Sequence, residues 1–255
     1  MAGHSKWANI KRQKARVDVV RGKTFAQISR AIIVATRNGV PDPDGNFQLR
    51  TAIEKAKAAG IPNDNIDRAI AKGAGTLDSS DRLEEIRYEG YGAGGVAIIV
   101  EALTDNRKRT AADLRFAFIK QGGNLGEMGC VGWMFDLKGV CSIVGSVDED
   151  RLLEAALKGG ADIYELIDDE EQPGAEVFTT VANLELLDAT LRSEGFIVSD
   201  REWRWVPQNT VLVDDPEQSK QLLKLIEVLE ALDDVQTVTA NFDLADELFD
   251  RSDVK

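Results

Sequence analysis

Apolar positions near the start of the chain recur at helical spacing. Within residues 24–38, Phe25, Ile28, Ile32 and Ala35 share one face, and Gly39 is a stop signal. Lys23, Arg30 and Arg37 lie seven apart and drift only ~20° per step, so they form a stripe opposite the apolar one. The run Pro41-Asp42-Pro43-Asp44-Gly45 reads as a loop. Asn46 is placed to cap a helix running to Ala59. Asn63 is placed to cap a short one that carries Ile66, Ala69 and Ile70 and ends at Gly73. Residues 76–82 read as a linker.

Beyond the linker the period changes. Residues 140–144, 162–167, 176–181 and 196–206 read as strands, and 148–157 and 183–193 as helices. Their order is βαββαβ, the ferredoxin-like split unit. On either side lie strand 96–103, helix 106–121 and strand 131–135, then strand 210–213, helix 216–232 and strand 235–242; a further short strand reads at 86–89. The flanking sets join across the middle block into a second βαββαβ unit. The expected class is therefore a multidomain α+β fold: an N-terminal domain of three-helix type and two ferredoxin-like α+β domains, one inserted in the other. The expected boundaries are 1–78 for the helical domain, 79–137 with 207–245 for the split domain, and 138–206 for the inserted one.

Charge refines this layout. The 255 residues carry 31 Lys and Arg against 44 Asp and Glu, a net charge of −13. Taken whole, that repels a nucleic acid. The charge is uneven, however. Residues 1–80 hold 14 basic and 7 acidic side chains, and the remainder holds 17 and 37. The first 37 residues hold nine bases (Lys6, Lys11, Arg12, Lys14, Arg16, Arg21, Lys23, Arg30, Arg37) and one acid, Asp18. Such asymmetry points to an anionic partner for the basic part.

Other counts narrow the chemistry. His4 is the only histidine, and Cys130 and Cys141 the only cysteines. A Ser-His-Asp triad and a Cys/His zinc site are both poorly supplied. Two thiols suggest a reducing compartment without a disulfide framework. The longest apolar runs, 31–35 and 96–100, fall far short of the ~20 residues of a membrane span, and no apolar h-region marks a secretory signal. A cytoplasmic protein without metal or cofactor is expected.

Most motifs dissolve on inspection. Gly90-Tyr91-Gly92-Ala93-Gly94-Gly95 fits G-x-G-x-x-G, but a strand-forming run follows where a dinucleotide fold needs a helix, so a hairpin turn is expected. Gly22-Lys23-Thr24 lacks the first glycine of a P-loop, since Val17 stands there. Asp168-Asp169-Glu170-Glu171 reads as a solvated loop. No carboxylate pair stands out for acid–base work. Two features keep a functional reading. Trp7 sits among cations and is placed to stack on a base or to anchor the basic arm. Arg107-Lys108-Arg109 opens a helix, where cations oppose the dipole, which suggests a second phosphate site.

The stretch Ala2-Gly3-His4-Ser5-Lys6-Trp7-Ala8-Asn9-Ile10-Lys11 closely resembles the YebC/PmpR family. The likeness continues through Arg21-Gly22-Lys23-Thr24-Phe25, Tyr88-Glu89-Gly90-Tyr91-Gly92, Asp105-Asn106-Arg107-Lys108-Arg109-Thr110, Gly122-Gly123-Asn124-Leu125-Gly126 and Lys138-Gly139. Gln13 stands in the basic run where many members carry a histidine, and Ala93 replaces a frequent proline. The likeness starts at residue 2, so no transit peptide is expected. The resemblance implies three domains, one helical and two ferredoxin-like. Members are described as probable transcriptional regulators that bind DNA; mitochondrial relatives act as translational activators, and bacterial members have been linked to the ribosome. The expected function is thus a non-enzymatic regulator that binds DNA, with a ribosome-associated factor binding ribosomal RNA as the alternative. The expected contacts are Lys6, Trp7, Lys11, Arg12, Lys14, Arg16, Arg21, Lys23, Arg30, Arg37, Arg107 and Arg109. The oligomeric state, monomer or weak dimer, is left open.

Overall fold

A computed structural model describes residues 21–76, 83–167 and 173–245, and for residues 21–24 the backbone only. The chain divides into two compact units, Met1–Phe135 with Pro207–Lys255, and Asp136–Val206.

Among the described residues, the first unit begins with three helices, α1 (Arg21–Asn38), α2 (Phe47–Ala58) and α3 (Asn63–Gly73). The Asn46 side chain caps α2 by accepting from the Leu49 N–H. Asn63 does not cap α3, contrary to expectation. Pro62 holds the cap position without a side-chain bond, and its fixed φ feeds the chain straight into the helix. Ile32, Ile33, Leu49, Ala52, Ala56, Ile61, Ile66 and Ala69 are buried together between the three helices. The close approach of α3 to α1 depends on Gly73. A Cβ there would lie 2.7 Å from the Ile33 carbonyl oxygen and 2.7 Å from the Thr36 Cβ. Gly→Ala normally stabilises a helix by about 1 kcal/mol. Here Gly73→Ala is expected to destabilise by about 1 kcal/mol net, because the overpacking cost outweighs the propensity gain. A rise in the urea midpoint would contradict this.

Beyond the linker, β1 (Glu84–Tyr91) and β2 (Ala97–Thr104) form an antiparallel hairpin. The Gly-rich run is its turn: the Gly92 N–H bonds the Val96 carbonyl at 2.8 Å, and Gly94 takes a φ of 70° that favours glycine. Then follow α4 (Arg107–Lys120), capped by Asn106, and the short β3 (Asn124–Leu125).

The expected strand over 131–135 does not form. Gly132–Met134 is a 3-10 turn, and only Phe135 enters the next strand, β4 (Phe135–Val144). The reason is the buried Glu89 carboxylate, whose Oε2 accepts from the Val131 and Gly132 N–H groups at 2.9 and 2.7 Å. Those donors are unavailable to a ladder.

The second unit continues through α5 (Glu149–Lys158), β5 (Ala161–Ile167), β6 (Gly174–Thr180), α6 (Leu184–Ser193) and β7 (Val198–Pro207). Its sheet order is β5-β6-β4-β7, the ferredoxin-like arrangement of a βαββαβ chain. Cys141, Ile143, Leu152, Val177, Leu184, Leu187 and Leu191 are buried within it. Burial pushes the Cys141 thiol up to about 12, so it behaves as a small buried residue.

The chain then completes the first unit with β8 (Val211–Val213), α7 (Pro216–Ala231), β9 (Val235–Ala240) and β10 (Phe242–Leu244). Its sheet order is β3-β1-β2-β9. The pieces β2-α4-β3 and α7-β9 supply both helices and three strands of a ferredoxin-like layer. The remaining place, between β2 and β3, belongs in a βαββαβ chain to the strand before the second helix. Here β1 fills it instead. The strand expected there, β8, pairs in parallel with β10 as a separate ribbon. Val96, Ile98 and Val100 of the sheet side pack against Leu114 and Phe118 of α4 and Leu222, Leu225 and Leu229 of α7.

Candidate nucleic-acid interface

The basic stripe of α1 meets the sheet of the same unit. Arg30 donates to the Asp233 carbonyl and stands 4.0 Å from the Asp234 carboxylate. Three residues earlier, Gln27 donates to the Val235 carbonyl at 3.3 Å. One turn pair later, Arg37 donates to the Leu83 carbonyl, and Asn38 reaches the Glu85 carboxylate at 3.2 Å. The Arg30 and Arg37 part of the stripe that periodicity placed opposite the apolar face therefore lies along the starts of β1 and β9. Arg30 and Arg37 are used within the molecule.

Asp234 is the centre of this junction. Its Oδ2 accepts from Arg109 at 2.8 Å, from the Thr110 hydroxyl at 2.8 Å and from the Thr104 hydroxyl at 3.2 Å. Its side chain is only 14% exposed. Burial opposes the charge of Asp234, but the hydrogen bonds from Arg109 and Thr110 outweigh it and hold the carboxyl below its ordinary value. Arg109 also bonds Asp105 at 2.8 Å, and both carboxylates raise its own pKa. Arg107 stands 3.7 Å from Glu84 and is 65% exposed. Arg107 and Arg109 at the start of α4 thus oppose the helix dipole but meet acids from β1, from the turn before β9 and from the loop before α4. The fold brings Arg30 and Arg109 to one carboxylate, and Arg37 and Arg107 to the adjacent residues Leu83 and Glu84. Lys6, Trp7, Lys11, Arg12, Lys14 and Arg16 lie outside the described residues, and Arg21 and Lys23 are placed by backbone alone.

Three features escaped the reading of the sequence. Glu89 was visible only as part of a glycine-rich motif, and nothing local shows that its side chain is fully buried and 3.1 Å from Arg87. Asp234 carries no motif at all. The third is a carboxylate pair: Glu165 of β5 stands opposite Glu176 of β6. Burial, and then the facing Glu176 charge, push Glu165 up to about 7. Arg204 forks onto Glu176 at 2.9 and 3.1 Å and onto Glu202 at 2.8 Å, which offsets the repulsion across the strands. Among the described residues, no three His, Cys, Asp or Glu side chains are grouped to hold a metal ion, and no helix is long and apolar enough to cross a membrane.

Residues 5–76 match the TACO1/YebC N-terminal domain, and residues 83–242 match the TACO1/YebC second and third domains. The chain belongs to the TACO1/YebC family. A probable transcriptional regulatory protein of Rippkaea orientalis is 71% identical over 97% of this chain and 98% of its own length. One of Nostoc sp. is 69% identical over the same shares. The crystal structure of a conserved hypothetical protein from Aquifex aeolicus is 44% identical, superposes with a TM-score of 0.81, and covers 92% of this chain and 95% of that one. The TACO1/YebC architecture therefore accounts for both α+β units and for the helical start. The family match spans the Asp105–Thr110 segment and the Asp234 junction alike.

Proposed function

We propose that this TACO1/YebC protein is a non-enzymatic, cytoplasmic regulator of transcription that binds DNA through the cations of its N-terminal domain. The observation that carries the reading is the name shared by relatives about 70% identical over nearly the whole chain, all probable transcriptional regulatory proteins. Those names favour it over the ribosomal alternative. The concentration of positive charge in an otherwise acidic chain supports it independently. Lys6, Lys11, Arg12, Lys14, Arg16, Arg21 and Lys23 make phosphate contacts, which position without specifying, and Trp7 belongs to the same nucleic-acid-binding set. Arg107 and Arg109 extend this charge, while Arg30 and Arg37 act by fixing α1 to the sheet. The acidic surface elsewhere restricts docking to one side.

Removing residues 1–37 is no clean test, because α1 carries Ile32, Ile33 and Ala35 of the helical core. Substitution is cleaner. Duplex binding is measured by fluorescence anisotropy across a salt series. Replacing Lys11, Arg12 and Lys14 together by Gln is expected to flatten the slope of log affinity against log salt by about 3. Duplex binding that ignores salt in the parent protein would overturn the reading.

A further inference from the structure

Helix α4 shows the core four of its residues, Thr110, Leu114, Ala117 and Phe118. Its opposite face is unusual for a surface helix. At helical spacing it presents Lys108, Ala112, Arg115, Phe116, Ile119 and Lys120, all exposed. Phe116 is 67% and Ile119 64% exposed. Folding gains nothing from a phenyl ring and a butyl group in water, and the core of this unit is complete without them. The Lys120 ammonium lies 5.7 Å from the centre of the Phe116 ring. Within the outward stripe the cations outnumber the acids three to one, Asp113 standing at its edge. In a chain of net charge −13 this composition departs from the rest of the surface.

The pairing of a flat apolar ring with flanking cations matches one ligand chemistry closely. Unpaired nucleobases offer a π-face to an aromatic side chain, and the phosphates between them meet Lys and Arg. A duplex hides its base faces, so it would use the cations and leave Phe116 idle. An acidic amphipathic protein segment would also suit the charge, but it gains most from a groove, and this stripe is convex. Lys and Arg donors do not by themselves tell a deoxyribose from a ribose, and the DNA-binding reading above selects DNA as the strand. We infer that the outer face of α4 is a binding site for single-stranded DNA, with Phe116 stacking on a base, Ile119 packing beside it, and Lys108, Arg115 and Lys120 on the phosphates. This rests on the DNA-binding reading above and extends it from phosphate contact to contact with bases.

The test uses the full chain, a fluorescent oligothymidylate of about 12 nucleotides, the matching oligouridylate and a duplex of equal length. Phe116→Ala is expected to weaken oligothymidylate binding about tenfold and duplex binding less than twofold, while Phe116→Trp retains both. The Phe116 side chain is exposed, so an unchanged thermal midpoint confirms that folding is intact. If Phe116→Ala binds oligothymidylate as the parent does, the inference is overturned and protein docking becomes the reading of this face. A loss confined to oligouridylate overturns the assignment to DNA. If Arg115→Gln with Lys120→Gln reproduces the loss and Phe116→Ala does not, binding is electrostatic and the stacking is overturned. Failure of the parent protein to bind any of the three probes counts against the DNA-binding reading itself.

Discussion

Glu89→Ala is expected to lower the unfolding free energy by about 3 kcal/mol, because it leaves two backbone donors without an acceptor in a buried place. The Val131 and Gly132 N–H groups point at one carboxylate oxygen, 2.9 and 2.7 Å away. The loop has been folded around that oxygen, for a Cβ on Gly132 would stand 2.9 Å from the other one. Removing the carboxylate also strips the Arg87 guanidinium of a partner 3.1 Å away. Glu89→Gln keeps one acceptor and is expected to lose about half as much. Urea unfolding of the two variants checks the order; an alanine variant within 1 kcal/mol of the parent would refute the assignment. The pH dependence has a definite sign. Burial works against the charged form, but the bonds from Val131, Gly132 and Gly129 and the Arg87 charge prevail, so the folded pKa lies below the ordinary 4.5. The contribution is therefore present above about pH 5 and is lost as the pH falls through the folded pKa.

Asp234→Asn is expected to have two effects of opposite value. It removes the charge that gathers Arg30 and Arg109 while keeping the size of the side chain. A charged hydrogen bond of this kind contributes about 1.5–3 kcal/mol, and exposure of the arginines puts the expected loss near 2. The same change frees Arg109 for an anion. If Arg109 lies in the DNA interface, the affinity for a duplex rises several-fold at low salt, even as stability falls. Calorimetry reads the first effect and anisotropy the second. Unchanged affinity would remove Arg109 from the interface and leave it a structural residue. Asp234 is also held below its ordinary pKa, so its contribution, like that of Glu89, is lost on acidification and not on raising the pH.

Much of the local structure was legible because local bonds make it. Asn106, Asp148 and Asp215 each sit at the start of a helix and accept from an N–H two or three residues on. Pro216 follows Asp215 at the first turn. The hairpin between β1 and β2 was legible for the same reason, since its turn lies within six residues. The expectation for 131–135 failed because the deciding group, Glu89, lies more than forty residues away. A run of apolar residues shows where a strand is possible, but not whether its donors are already taken. Phe116 was within reach of a stricter reading: with Leu114, Ala117 and Phe118 inward, Phe116 and Ile119 must face out.

The arginine stripe shows the division most clearly. Periodicity alone established that Arg30 and Arg37 share a face opposite the apolar side of α1, because 3.6 residues per turn permits nothing else. The residue motifs likewise sufficed for the TACO1/YebC family, and the residue counts for the excess of positive charge in the N-terminal part. What meets that face is a different question. It was decided by Asp233 and Asp234, some two hundred residues on, and by the folding of β9 beside β2. The choice of β1 over β8 as the fourth strand of the sheet is of the same kind. Helix period and capping follow from neighbours in the chain, whereas ladder partners and ion pairs depend on which distant segments pack together.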